Sequence, residues 1–562
     1  MRFILVVSLL LLICGTALAA VDIKTLPAEE KALLNSTDPW GLAFGDQLTR
    51  FDGYFASAKD ATFVAGVTHS LVKVWQNKYW FRGDTVPPGE PRMWKTQWGV
   101  TGGTVSFQVA VLPRTGAKPA KYTVSMQAPV AGQVYREEFV KLGPAPYPTF
   151  QADAWPDPLV PENSVSLTGL NAGIFYVELH IPADFKEKRF TCGVKIAAEG
   201  GETAQFTVPV EVVKLNLKPA DLSLVAAVSD AGLSDAQFRA MYRMLLEHQM
   251  QPLAPGYLAK LWNPERPEAF AAFVQEAMDR GQHVFHISEP DHKLYDFLKA
   301  KGWLSNFMIY SNQDEADEAT LLKTNIPYAE QMRKQFPGLK IFLAAELLPG
   351  IDRATDIVLT DLSSSRYDPR TYKPGKAPVL WHYYCHLPIN YQMRAPLVQA
   401  PNMQIDNPAL EHRLALWMSR YYGAKGVYIW SGNNAWNMLG KDFWQTLQIP
   451  NTAGTYPYGG IHHGNGYLVY PPREADGPVR PSLRLKVLRD GLEDLAILAA
   501  AEKHKKRLGG LLDPVPAVFT HPQYFDQLPE TLLNRREAIL KKLRGGEVII
   551  LELSGGIPVK PR

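Results

Sequence analysis

The chain has 562 residues, of which 46% are hydrophobic and 20% charged, a balance that excludes a disordered chain and supplies core for more than one folded unit. Its net charge of +3 carries no basic block, which removes the electrostatic footprint of a nucleic-acid binder and leaves room for an uncharged partner. Three cysteines are too few for a disulfide framework.

The opening run, MRFILVVSLLLLICGTALAA, has a basic Arg2, an apolar stretch from Phe3 to Ile13 and a small-x-small site at Ala17-Leu18-Ala19. This pattern predicts a signal peptide over 1–19 and an exported protein, periplasmic or extracellular. The apolar stretch is shorter than the roughly 20 residues that span a bilayer, and no later segment qualifies, so stable membrane insertion is not expected. Lipid attachment at Cys14 is disfavoured because Ile13 stands where a small residue is required. Only Cys192 and Cys385 then remain, far apart, and they are expected to be buried free thiols in different domains.

Residues 20–60 are weakly patterned and form a lead-in segment. Over 61–220 the apolar period is two: Val105, Phe107, Val109 and Val111 share one face, as do Phe175, Val177, Leu179 and Ile181, and Phe206, Val208, Val210 and Val212. Pro and Gly clusters separate these runs, which predicts an N-terminal β-sandwich.

From 221 to 546 short apolar runs alternate with helical stretches. The first helix, SDAQFRAMYRMLLEHQ, has a capping box at Ser234 and Gln237 and an apolar face of Phe238, Met241 and Leu245. Eight strand candidates (LSLVAAVSD, MQPLAP, HVFHIS, FMIYSN, LKIFLAAE, TDIVLTD, APVLWHYY and KGVYIW) predict a (β/α)8 TIM-type barrel; the gap between the sixth and seventh is too short for a full helix, so either the barrel is irregular there or one of these runs is not a strand. Two helices, PSLRLKVLRDGLEDLAILAAAEKHKKRL and LPETLLNRREAILKKL, close the domain, and 547–562 is a tail. The fold class is therefore multidomain, a sandwich followed by a barrel with C-terminal helices.

The fourth candidate strand runs into YSNQDEADEAT, which places Asp314 and Glu315 on the carboxyl-terminal rim, where barrel enzymes keep their chemistry. Adjacent side chains on an extended backbone diverge, so the two carboxylates do not flank one bond as nucleophile and acid. They reach two parts of one sugar instead. Glu315 is suited to protonate a glycosidic oxygen and Asp314 to hold a neighbouring substituent, the division of labour of substrate-assisted hydrolysis. Mutual repulsion raises one pKa, and the proton is assigned to Glu315. Asp317 and Glu318, further on, read as an acidic helix start.

The run LKAKGWLSNFMIYSNQDEADEATLLKTNIPYAEQMRKQFPGLKIFLAAE resembles the core of glycoside hydrolase family 123, the β-N-acetylgalactosaminidases. AWPDPLVPENSVSLTGLNAGIFYVELHIPADF, PVLWHYYCHLP and GNGYLVYPPREADGPVRPSLRLKVLRDGLEDLAIL resemble the same family in matching order, from about 60 to 500. By that resemblance Asp314 matches the residue that orients the 2-acetamido group, and Glu315 the general acid/base. Family members usually follow the pair with Pro; here Ala316 stands.

Sugar C–H faces stack on aromatic rings. LWHYYCHLP offers Trp381, Tyr383 and Tyr384, and YIWSGNNAWNMLGKDFW offers Trp430, Asn433, Asn434, Trp436 and Trp444. Tyr384, Trp430, Asn433 and Trp436 are the chosen substrate-binding candidates. Arg484 and Arg489, near Glu493 and Asp494, read as surface ion pairs. His382, His386, His462 and His463 show no metal-ligand spacing and read as loop or substrate contacts, so no metal and no cofactor are expected.

These observations predict a secreted retaining glycosidase that releases terminal β-linked N-acetylgalactosamine through an oxazoline-type intermediate, with a glycan or glycoconjugate as substrate. The sequence sets no oligomeric state. The alternatives are a barrel glycosidase for another sugar, N-acetylglucosamine or a glycan without a 2-acetamido group, and a non-catalytic carbohydrate-binding surface protein.

Overall fold

In the computed structural model the described residues are 26–89, 91–142, 154–215, 217–362, 378–385, 400–436 and 463–545. The segments expected as signal peptide and tail, together with Trp444, His386 and His462, lie outside them.

Two sheets occupy residues 63–213. The first runs in the order Asp84–Val86, Phe63–His69, Thr104–Pro113, Gly173–His180, Ala131–Val140 and Trp155–Val160, all antiparallel. The second centres on Thr203–Val213, Arg189–Ala198 and Ala120–Gln127, with Arg92–Met93 and Gln97–Val100 joining Thr203–Val213 in parallel. Every apolar residue that the period of two assigned to one face enters a single buried cluster, to which both sheets contribute. Full burial of each Val or Phe there is worth about 1.5–3 kcal/mol.

Thr104–Pro113 is also buried on its other face. Ala110 and Leu112, with Ile174 of the adjacent strand, pack on Phe44, Leu48 and Phe51 of the helix Phe44–Gly53. The weakly patterned lead-in thus covers the outer side of the first sheet.

The barrel strands are β1 (Ser223–Ala227), β2 (Gln251–Leu253), β3 (Phe285–His286), β4 (Phe307–Tyr310), β5 (Lys340–Ala344), β6 (Ile357–Thr360), β7 (Val379–Tyr384) and β8 (Gly426–Ile429). All eight fall within the runs read from sequence. They pair in parallel in the order β2-β1-β8-β7-β6-β5-β4-β3, one sheet that nearly closes. Between β2 and β3 side chains take the place of the ladder. Gln282 Nε2 donates to Pro252 O at 2.8 Å, and His283 N donates to Gln251 Oε1 at 2.8 Å. Pro252 has no N–H to offer there.

The helices that follow are α1 (Asp235–Glu247), α2 (Glu268–Asp279), α3 (His292–Ala300), α4 (Ile326–Gln335), α5 (Ala409–Tyr421), α6 (Leu483–Glu502) and α7 (Pro529–Arg544). The α1 capping box forms as read: Gln237 N donates to Ser234 Oγ and Ser234 N to Gln237 Oε1. β6 and β7 pair directly, and the expected irregularity between them falls on 363–377, outside the described residues. Cys192, in the second sheet, and Cys385, at the end of β7, are both buried.

The expectation of surface ion pairs on α6 is overturned. That helix is wedged between the sheet-rich region and α5, so its charges are sealed in. Arg484 and Asp157 meet at 3.0 Å with neither side chain exposed, and Glu178 takes both Lys486 and Arg489. Asp494 is shared by Arg413 and Arg536, and Glu493 Oε2 accepts from Thr104 N at 2.7 Å. These carboxylates and cations come from both regions, which fastens one to the other.

Candidate active site

β4 pairs with β5, Tyr310 opposite Phe342, and Ser311 N extends the ladder by donating to Phe342 O at 2.9 Å. The chain then turns, and Ala344, the last residue of β5, fixes the turn at both ends. Its N–H donates to Tyr310 Oη at 3.0 Å, and its carbonyl accepts from Glu315 N at 3.0 Å. Glu315 N also points at Asp314 Oδ1, 3.0 Å away, and the Tyr310 hydroxyl donates to that same carboxylate oxygen. Asp314 is therefore held on one side by a phenol and a main-chain N–H, while Glu315 is left to face outward.

Glu315 has φ of 46°, the left-handed region that a residue with a Cβ avoids at a cost of about 1–3 kcal/mol. The surroundings over-determine it. Ala316 is buried, and Asn325 reaches in from a π-helical turn at Leu321–Asn325 to donate to Ser311 Oγ at 3.0 Å and to Gln313 O at 2.9 Å. π-turns of this kind recur at functional sites. Asp317, as expected of an acidic helix start, caps the short helix beyond, accepting from Thr320 N at 2.8 Å.

The electrostatics separate the pair. Partial burial raises the Glu315 carboxyl, and the charges of Asp314 and Asp361 push in the same direction. The sequence reading had given the cause as repulsion within the pair; burial is the larger cause. Asp361 stands just past β6. On the inner wall the hydroxyls of Tyr310, Tyr383 and Tyr428 are all held above their ordinary range, chiefly by burial, with the Asp314 charge adding to it. That wall is aromatic: His286 stands edge-on to Phe342 at 4.9 Å, Tyr310 meets Phe342 at 4.7 Å, and Tyr383 meets Tyr428 at 5.7 Å. Burial lowers His286 to about 4, so it is neutral. Among the described residues no three His, Cys, Asp or Glu side chains converge to hold a metal ion.

The contacts that the described residues give the four substrate-binding candidates are to groups other than the carboxylate pair. Tyr384 is 1% exposed and sits in the helix-facing core, a correction that follows from strand alternation: its neighbours Trp381 and Tyr383 take the inner face. Asn433 uses its whole amide as a clamp, Oδ1 accepting from Ser229 N at 2.8 Å and Nδ2 donating to Ser229 O at 2.7 Å. Trp436 spends its ring N–H on Val469 O at 2.9 Å. Trp430 packs over Gly466, where a Cβ would stand 2.4 Å from its ring. His382 is buried beside Ser419 and lowered to about 3, and His463 Nδ1 lies 2.9 Å from Asp406 Oδ2.

Tyr310, Tyr428, Asp361 and Asn325 were missed. Asp361 was within reach, since the rim rule that selected the end of β4 applies equally to the end of β6. Asn325 left no signal, because its role depends on how a helical turn folds back.

An acid held above its ordinary pKa beside an anchored carboxylate, on the strand ends of a barrel, belongs to the class of glycoside hydrolases. Residues 292–501 match the family model described as glycoside hydrolase 123, catalytic domain. By this match residues 292–501 form a glycoside hydrolase 123 catalytic domain. Among solved structures it is similar to a family 123 glycoside hydrolase from Clostridium perfringens studied for glycolipid glycan hydrolysis. That match has 13% identity and a TM-score of 0.59, covering 86% of this chain and 98% of that one. A β-galacturonidase of family 2 from Eisenbergiella tayi matches at 11% identity and a TM-score of 0.28, covering 69% of each chain. A β-glucuronidase from Bacteroides uniformis matches at 10% and 0.26, covering 72% of this chain and 49% of that one. No curated protein matches.

Proposed function

We propose that the protein is an exported retaining β-N-acetylgalactosaminidase. The observation that carries this reading is the division of the pair: Asp314 pinned by Tyr310, Glu315 free with a raised pKa. In the reaction Glu315 protonates the glycosidic oxygen while the carbonyl oxygen of the substrate's 2-acetamido group attacks the anomeric carbon. Asp314 accepts a hydrogen bond from the acetamido N–H and balances the charge of the oxazoline-type intermediate. Glu315, now ionised, takes a proton from water, which opens that intermediate with net retention. Tyr310 keeps Asp314 in place and Asp361 helps keep Glu315 protonated before each cycle.

The family supports a glycan or glycoconjugate as substrate, and the activity described for the Clostridium perfringens enzyme makes glycolipid glycans a class to test. The signal-like segment over 1–19 supports export. The two sheets that share one core are read as the expected β-sandwich, a scaffold docked on α6 and α7.

The test is hydrolysis of chromogenic β-N-acetylgalactosaminide, β-N-acetylglucosaminide and β-galactoside by wild type, Asp314→Asn and Glu315→Gln. Cleavage of the first alone, lost in both variants, supports the reading. Equal cleavage of the galactoside refutes acetamido assistance, and cleavage of nothing favours a glycan-binding protein.

A further inference from the structure

We infer that the sheet-rich region carries a second carbohydrate-binding site, a cleft of about 930 Å³ between the sheets and the first turns of α7 that takes a neutral oligosaccharide. The barrel strands and the loops after β4 and β5 contribute nothing to its lining, so it is separate from Asp314 and Glu315.

Among the described residues six tryptophans, of 13 in the sequence, line this one cleft. They grade from floor to lip. Trp75 and Trp155 form the floor, buried and edge-to-face at 4.4 Å; Trp80 and Trp40 stand 5.9 and 6.4 Å from Trp75, and Trp40 is 45% exposed. Trp40 is nonetheless fixed, because the Arg82 guanidinium lies 4.2 Å from the centre of its ring while Nη2 of the same arginine bonds Asp38 at 2.7 Å. The ring is thus preorganised for a ligand face.

The floor also holds polar atoms that the described protein does not satisfy. Trp75 Nε1 and His69 Nδ1 are buried without hydrogen-bond partners, although the other His69 nitrogen lies 3.3 Å from Glu530 on α7. Such groups cost stability unless something pairs them. An acyl chain has no hydrogen-bonding groups with which to do so. The rim mixes signs, Lys95 paired with Asp84 at 3.1 Å opposite Glu530, so it holds no field that selects an anion. Flat aromatic faces, unpaired polar nitrogens and a balanced rim together fit a pyranose, which offers a C–H face to indole and hydroxyls to the floor. A clustered glycoconjugate anchored here would keep its chain ends at high local concentration near the barrel.

The test uses the full chain and desialylated mucin, a carrier of neutral oligosaccharides, in affinity electrophoresis. Wild type is expected to be retarded. Trp40→Ala, and separately Asn534→Trp, which fills the cleft from an exposed position on α7, should each weaken the affinity tenfold or more. Both should leave kcat/KM on a small chromogenic galactosaminide within twofold of wild type. No retardation of wild type, or retardation of both variants equal to that of wild type, overturns the proposal. The readout is binding without turnover, so a barrel that cleaves no galactosaminide leaves this inference standing.

Discussion

Tyr310 and Asp314 are joined by one hydrogen bond, phenol to carboxylate, across the turn that leaves β4. The same phenol oxygen accepts from Ala344 N, so the strand that ends beside the site sets the position of the carboxylate. Tyr310→Phe removes both contacts and keeps the ring. A hydrogen bond to a charged group is worth about 1.5–3 kcal/mol, so kcat should fall tenfold or more with a smaller change in KM. Steady-state kinetics on the chromogenic substrate would show it; an unchanged kcat refutes the positioning role.

Glu315 must be protonated to act as the acid, and its pKa is raised by burial, Asp314 and Asp361. Activity should therefore persist above the ordinary carboxylate range and fall as pH rises through the raised value. Asp361→Asn removes one cause, so the basic limb of the kcat profile should move to lower pH. Glu315→Gln should lower kcat/KM by roughly 10²- to 10⁴-fold, the range of a general acid.

Asn325 ties the carboxylate turn to its π-helical support through two donated bonds. Asn325→Leu is close in size and leaves Gln313 O without that donor. We expect about 1–3 kcal/mol of lost stability in urea unfolding. A fall in kcat that conservative Asn325→Asp does not fully restore would mark the donated hydrogen bonds, rather than size, as the contribution.

Removing one partner of a buried ion pair strands the other. Asp157→Ala leaves the Arg484 guanidinium sealed with no carboxylate beside it and should cost about 3–5 kcal/mol. The double variant Asp157→Ala, Arg484→Met should recover a large part of that, as measured by chemical denaturation. Equal losses in single and double variants would show that packing, not charge, dominates this seam.

Glu137 gives a pH test of the same seam. Burial, then the Asp157 charge, pushes its carboxyl up to about 8 from the ordinary 4.5, against the pull of Lys73. The folded state keeps a proton that the unfolded chain releases near 4.5, so stability is present in acid and is lost as pH climbs through about 8. Glu137→Gln carries no charge at any pH. Its Tm should exceed that of wild type at pH near 8 and match it near 4.5, by calorimetry across the range.

Local pattern determined a good deal of this protein. The period of two assigned Val105 to Val111 and Phe206 to Val212 to the core before any fold was in view, and the eight apolar runs marked all eight barrel strands. An adjacent Asp-Glu pair past the fourth of them was legible for the same reason: rim position follows from strand order. Strand and helix periods are properties of neighbouring residues, so a sequence carries them openly. What only the tertiary structure decided are contacts between distant residues. Arg484 meets Asp157 across 327 positions, and Asn325 returns to Gln313 through a turn that no period describes. Tyr383 and Tyr384 look equivalent in sequence, yet closure of the sheet sends one to the barrel interior and the other among the helices. Which face of a strand becomes the inside is set by the curvature of the whole sheet, which no short window of residues contains.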